Sequence, residues 1–432
     1  MRYISTNATA PSVDARKALS GGFAADGGLF MPEKLPRLPR AFLNNIGELS
    51  MPEIAFVVAS SFFGDDIPAN IIKKAVDESF SFEAPLVPLG NGEFMLELFH
   101  GPTMTFKDYG ARFVARMVRA LDATHRVGKR TVLVATTGNS GAATANGLFG
   151  LPDVDVTVLY PQGALSRMQM AQFATLGGNV HAVEVEGSIE DCKALIRSAM
   201  ADNSLQFLRL ATMNSINVGR LIPQIVFGLH AYSRLVAAGV KNASEALYAI
   251  PSGNFSNLLA TLMGVEMGLP CSGVAGVCNA NDALGRMMRG EPLPERPVAT
   301  TAPSLDTVSP SGAPRLSFLA GASFGCIDKL VVPHGVDDRE IASALLRLKT
   351  QRGYTADPHT AAAYAAALTL SAPVKVIFAT GHPAKSLDIM TRLTGGTVEL
   401  PVQFNRFMGG RRIVKRIPPT PAALRRLLIT NS

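Results

Sequence analysis

The sequence predicts an α/β fold with parallel-rich sheets flanked by helices, preceded by an N-terminal, mostly helical module. Three observations predict it. From residue 131 onward, short apolar runs alternate with helix-like runs, and strands whose return path is a helix lie parallel and are covered on both faces. Several of the strand-like runs end at Gly-containing turns, which in open sheets of this kind lie where ligands bind. The first 92 residues lack that alternation and read as helix and loop around Gly21-Gly22-Phe23 and Asp26-Gly27-Gly28-Leu29-Phe30.

Taken in order, Glu93–Phe99 is apolar-rich and runs into the Gly101-Pro102 turn signal, so a strand is predicted there. Phe113, Val114, Met117, Val118 and Leu121 then recur on one face of a helix. Thr131–Ala135 is a short strand, and Thr136–Leu148 opens with Thr-Thr-Gly-Asn-Ser-Gly before continuing as a small-residue helix. Val154–Tyr160 is a strand followed by a helix opening near Ser166. Val180–Glu186 alternates, and Ser188 caps a helix with Asp191 three residues on. Ala246–Ile250 and Val374–Ala379 are strands, each leading into a turn and a helix. Residues 291–316 hold Pro292, Pro294, Pro297, Pro303, Pro310 and Pro314 among Ser, Thr and Gly, which suits a long ordered loop or a mobile lid. The expected division is an N-terminal module (1–92), a large domain (93–130 and 205–400), a small α/β domain (131–204) and a basic tail (401–432).

Composition narrows the function classes. With 432 residues, 47% apolar and 17% charged, the chain can bury a large core and shows no signature of disorder. The net charge of +7 owes much to Arg406, Arg411, Arg412, Lys415, Arg416, Arg425 and Arg426. No basic stripe with stacking aromatics accompanies them, so anionic small molecules are the expected partners, not nucleic acid. Cys192, Cys271, Cys278 and Cys326 form no CxxC pair, which predicts reduced thiols in a cytoplasmic protein and no metal site. No apolar secretory region and no apolar run of ~18 residues is present, so no membrane partner is expected.

Four segments carry chemistry. Lys107 opens the helix after the first strand, where the positive end of the macrodipole disfavours an ammonium; such a lysine suits Schiff-base chemistry with a carbonyl cofactor. Ala249-Ile-Pro-Ser-Gly-Asn-Phe-Ser-Asn257 joins a strand to a helix and offers backbone donors to a phosphate, although it fits neither a Walker A loop nor a dinucleotide fingerprint. Thr136-Thr-Gly-Asn-Ser-Gly-Ala142 repeats that geometry with donors for a carboxylate, and Asn139 can meet a ring substituent. Phe378-Ala-Thr-Gly-His-Pro-Ala-Lys385 presents Thr380, a neutral hydroxyl, at a strand end, followed by His382 and Lys385. Singly, these are a solvated lysine, two tight βα turns and a core histidine. Together they describe a pocket for a phosphorylated carbonyl cofactor.

With these residues in view, the chain resembles the threonine synthase family, pyridoxal 5'-phosphate enzymes of the tryptophan-synthase-β superfamily (fold type II), in the branch of enteric bacteria and fungi. The resemblance rests on Asp26-Gly-Gly-Leu-Phe30, the Glu97–Lys107 run with its Phe-His-Gly-Pro-Thr-x-x-Phe-Lys-Asp pattern, Thr137–Gly141, Asn214–Arg220, Pro251–Asn257, Gly353–His359 and His382–Lys385. It implies that Lys107 is the Schiff-base lysine and catalytic group. Gly253, Asn254, Phe255 and Asn257 would hold the cofactor phosphate, Asn139 would meet the cofactor ring, and Thr380 would face the pyridine nitrogen. The implied substrate is O-phospho-L-homoserine, converted with water to L-threonine and phosphate in the last step of threonine biosynthesis. Thr137, Ser140, Gly141, Asn214, Arg220, His382 and Lys385 are the implied substrate contacts, with Arg220 and Lys385 as cations for the substrate phosphate. His100 and His359 are read as structural. Thr137-Gly-Asn-Ser-Gly141 stands where the family often has Ser-Gly-Asp-Thr-Gly; Ser304-Leu-Asp306 stands for Ala-Met-Asp and Gly312 for Asn. The rival readings are a related phospho-lyase or serine/threonine dehydratase, a non-catalytic binding protein and a nucleotide-binding fold. Oligomeric state stays open.

Overall fold

The computed structural model describes residues 1–125, 128–321 and 330–431. Among them are two larger sheets. The six-stranded sheet runs Val331–Gly335, Gly273–Cys278, Ala246–Pro251, Val374–Ala379, Glu93–Glu97 and Leu86–Gly90 in space. Every neighbouring pair is parallel except the last two. The five-stranded sheet runs Val414–Ile417, Val180–Val185, Val154–Pro161, Arg130–Ala135 and Ala211–Thr212, all parallel. Parallel pairing follows from the helical returns between strands.

Local signals account for many boundaries. Ser188 accepts a hydrogen bond from Asp191 N while the Asp191 carboxylate accepts one from Ser188 N, opening the helix Ile189–Ala201 as the sequence predicts. Ser166 and Gln169 form the same reciprocal cap on Arg167–Ala174. Such caps contribute about 1 kcal/mol each. The Val374–Ala379 strand has the predicted bounds.

Several expectations need correction. The N-terminal residues pack directly on the rest of the chain. Tyr3, Phe62 and Phe63 share one buried core with Phe113 of the helix Lys107–Thr124, with ring centroids 6.3 Å apart for Tyr3–Phe63 and 5.9 Å for Phe63–Phe113. An apolar helix face such as that of Met51–Phe63 needs a partner, and this helix supplies one. Leu86–Gly90, placed in the 1–92 module by sequence, is a strand of the six-stranded sheet. Its hairpin turns on Asn91 and Gly92, with φ of +55° and +74°, a turn chemistry that the sequence displays. The basic tail also contributes a strand, Val414–Ile417, at the edge of the five-stranded sheet, where Arg416 meets Glu184 at 2.8 Å. Charged side chains suit an edge strand. Gly273–Cys278 and Val331–Gly335 were not anticipated.

The proline-rich segment is an ordered loop that leads into the helix Ala313–Gly321. The Asp306 carboxylate accepts from Asn279 Nδ2 at 2.6 Å and Thr300 Oγ1 at 2.8 Å, and Asp338 accepts from Thr301 N at 3.0 Å. Arg315 is fully buried, donating to the carbonyls of Phe30, Ser215 and Ile216. It ties the short strand Phe30–Pro32 to the loop that brings Ser215 to the cleft. Cys192, Cys271 and Cys278 carry free thiols, whereas Cys326 lies outside the described residues. Among the described residues no helix is long and apolar enough to cross a membrane.

Candidate active site

The cleft opens at the carboxyl ends of Ala246–Pro251 and Val374–Ala379 and is closed by the starts of the helices at Lys107, Asn139 and Ser256. Lys107 is the first residue of its helix and half-buried, with Nζ 5.8 Å from the centre of the Phe106 ring. The lysine loop is stitched to the neighbouring strand end. Phe106 N donates to Thr380 O at 3.1 Å, Thr105 Oγ1 donates to the same carbonyl at 3.3 Å, and Leu98 N donates to Ala379 O at 2.9 Å. Lys107 and Thr380 therefore flank one space. Burial, with a smaller effect from the Arg220 guanidinium, lowers the Lys107 amine to about 8. The helix dipole invoked from sequence acts in the same direction, but burial dominates.

The turn expected to offer donors to a phosphate runs from Pro251 into the helix Ser256–Met267. Phe255 takes a left-handed conformation (φ +60°), which turns the chain into the helix. A Cβ on Gly253 would run into the carbonyl oxygen of Ser304, so glycine permits a close approach between this turn and the proline-rich loop. Ser311 N donates to Asn254 Oδ1 at 3.0 Å. Gly312 likewise leaves room for the Asn254 carbonyl, 2.6 Å from where its Cβ would stand.

The Thr136–Gly141 turn is held by its own first residue. Buried Thr136 Oγ1 accepts from Gly138 N and Gly141 N, each at 2.9 Å. Asn139 and Ser140 line the cleft; Thr137 is exposed beside it and Gly141 is buried behind Thr136, neither of them in its lining.

The cationic residues expected to meet a second phosphate lie behind the wall. Buried Arg220 donates to Thr144 Oγ1 at 3.0 Å, to Met213 O at 2.8 Å and to Lys107 O at 3.5 Å. Buried Lys385 donates from Nζ to Thr103 O at 2.7 Å and to Gln172 Oε1. Desolvation lowers Arg220 to about 10 and Lys385 to about 7, with nearby Asp108 opposing both shifts. His382 packs edge-on against Phe99, with centroids 5.4 Å apart, and its Nδ1 accepts from Ala384 N at 3.1 Å. Burial lowers it to about 4. Asn214 and these three residues are outside the cleft lining, although Ser215 is part of it. The sequence reading missed Ser215, Ser304, Asp357 and His359 as cleft residues. The Gly353–His359 motif was the available signal, and only the fold shows that it reaches the cleft.

These residues fit pyridoxal phosphate. The Asn139 and Asn257 side-chain oxygens are buried without partners, and the Thr380 hydroxyl makes no hydrogen bond among the described residues. A helix start faces the same space, and backbone N–H groups there favour an anion.

Residues 2–80 match the family described as "Threonine synthase N terminus" and residues 82–377 the family described as "Pyridoxal-phosphate dependent enzyme". The chain is 33% identical over 425 residues to the threonine synthase of Escherichia coli strain K12, covering 97% of both chains. The chain belongs to the threonine synthase family. Its fold matches the crystal structure of threonine synthase from Escherichia coli with a TM-score of 0.92 and 32% identity, covering 100% of both chains. Pyridoxal-phosphate-bound threonine synthase from Brucella melitensis matches with a TM-score of 0.90 and 28% identity, over 100% of this chain and 99% of that one. As a member of the threonine synthase family, the protein is a pyridoxal-phosphate-dependent lyase with the fold type II architecture implied by its motifs.

Proposed function

We propose that the chain is a cytoplasmic threonine synthase whose substrate is O-phospho-L-homoserine, converted with water to L-threonine and phosphate. The observation that carries this reading is Lys107, an amine lowered to about 8 that shares its cleft with Thr380 and with the helix-start turn Gly253–Asn257. When bound, pyridoxal phosphate supplies an electron sink for charge developing at the substrate carbon next to the amine. Lys107 Nζ would hold the cofactor covalently and, once displaced by the substrate amine, take the Cα proton; its lowered basicity suits both roles. The turn formed by Gly253, Asn254, Phe255 and Asn257 would bind the cofactor phosphate, and Asn139 would meet the ring oxygen. Thr380 would face the ring nitrogen as a neutral partner, which leaves that nitrogen largely unprotonated. More of the charge stabilisation must then come from neighbouring dipoles.

Of the expected substrate contacts, Ser140 lies in the cleft lining, with Thr137 and Gly141 in the same turn and Asn214 next in the chain to the lining residue Ser215. Arg220 and Lys385 would act on the leaving phosphate through their field from behind the wall, with His382 near Lys385, instead of through direct bonds. Cationic charge there favours the transition state, in which negative charge grows on the leaving oxygen.

The test is product analysis with O-phospho-L-homoserine. Phosphate and threonine should appear in equal amounts, and borohydride should fix the cofactor to the peptide that contains Lys107. Ammonia and a 2-oxo acid in place of threonine would make the chain a dehydratase, and label on another lysine would reject the Lys107 assignment.

A further inference from the structure

We propose that His359 is a positioning residue that, by holding Ser304, braces the turn which carries the cofactor phosphate. The proposal rests on the reading of Gly253–Asn257 as that turn.

The brace can be followed atom by atom. Asp357 caps the helix Pro358–Thr369, accepting from Thr360 N at 2.9 Å, and its other carboxylate oxygen pairs with His359 Nδ1. His359 Nε2 is 3.0 Å from Ser304 N and must accept its proton, since a backbone N–H has no lone pair. Nδ1 therefore carries the ring hydrogen and donates it to Asp357. This fixes the tautomer and aims a lone pair at the proline-rich loop.

Beyond that bond, the Ser304 carbonyl presses on Gly253 so closely that a Cβ would collide with it. Seven residues further on, Ser311 N holds Asn254 Oδ1. Pro303 and Ser304 themselves are exposed between buried Ala302 and Leu305, and the bond to His359 adds a direct tie at the residue whose carbonyl stands over Gly253. Both ring nitrogens of His359 are engaged by protein groups, one by Asp357 and one by Ser304. That leaves no lone pair for proton transfer in the cleft, although the ring lies in its lining.

The experiment titrates the apoproteins of five variants with pyridoxal phosphate and pairs each dissociation constant with steady-state kinetics. His359→Leu removes the acceptor. Ser304→Pro removes the donor from an exposed position without touching the buried histidine, but it also displaces Pro303 from its short helical turn, so its effect counts only together with that of His359→Leu. Each should raise the dissociation constant about tenfold, the consequence of one lost hydrogen bond and an unpaired group. His359→Gln places an amide oxygen near the Nε2 position and should restore near-wild-type affinity and kcat. Ser304→Ala keeps the N–H and should bind the cofactor with wild-type affinity. Unchanged affinity in both His359→Leu and Ser304→Pro would overturn the proposal. So would His359→Gln with intact affinity but kcat lowered about a hundredfold, the mark of an acid–base group. Gly253→Val separates the two levels of the argument. If it too leaves affinity unchanged, the phosphate-site reading itself fails; if it alone weakens binding, only the brace fails.

Discussion

The two glycine turns at the cleft have the same plan in sequence, a strand, a Gly-containing turn and a helix, yet they are stabilised in opposite ways. Thr136–Gly141 is self-contained: one buried hydroxyl, Thr136 Oγ1, takes the N–H groups of Gly138 and Gly141. Gly253–Asn257 is held from outside, by a loop about fifty positions away that meets it at Ser304, Ser311 and Gly312. A turn braced by its own side chain should couple to global stability. One braced by a distant loop should couple to ligand affinity, because the loop can shift while the core stays folded.

Gly253→Val gives the largest expected effect on this contrast. The added side chain must push the Ser304 carbonyl away, and cofactor affinity should fall by about a hundredfold while thermal unfolding stays cooperative. An unchanged dissociation constant on apoprotein titration would place the phosphate elsewhere. Thr136→Val should do the reverse, since it keeps the shape and leaves two buried N–H groups unpaired. Denaturant unfolding should show a loss of about 2 kcal/mol, with affinity changed by less than about threefold. If affinity falls and stability does not, the contrast between the turns collapses.

The smallest effect concerns Lys385, which joins the two halves of the cleft through Thr103 O on one side and Gln172 Oε1 on the other. Its ammonium titrates at about 7 in the folded chain against 10.5 as an ordinary lysine, with burial as the main cause. Between those values the unfolded chain binds more protons than the folded one, so stability rises with pH across the window. The wild type should therefore gain on Lys385→Met from about pH 7 to pH 9 by up to ~1.4 kcal/mol per pH unit. Parallel stability curves for the two proteins would show that Lys385 keeps its proton through that range.

The legibility of the fold follows the same divide. Ser188 with Asp191, the apolar face from Phe113 to Leu121 and the buried strand Val374–Ala379 were readable because each is decided within a few residues of chain. The tail strand Val414–Ile417 was hidden by its own charges, which are tolerated at an edge that only the assembled sheet creates. Leu86–Gly90 is different, because Asn91-Gly92 announced its hairpin and was passed over.

By itself, the sequence determined the alternation of strand and helix, the glycine turns at strand ends and a lysine at a helix start, since these depend on local backbone chemistry. Tertiary structure alone decided which side chains share the cleft. It turned Arg220 and Lys385 into the protein, where desolvation lowers both, and it brought Ser304 and His359, 55 residues apart, together beside the Gly253–Asn257 turn. The physical reason is that burial and hydrogen-bond partnership belong to the folded arrangement and leave no local mark on the chain.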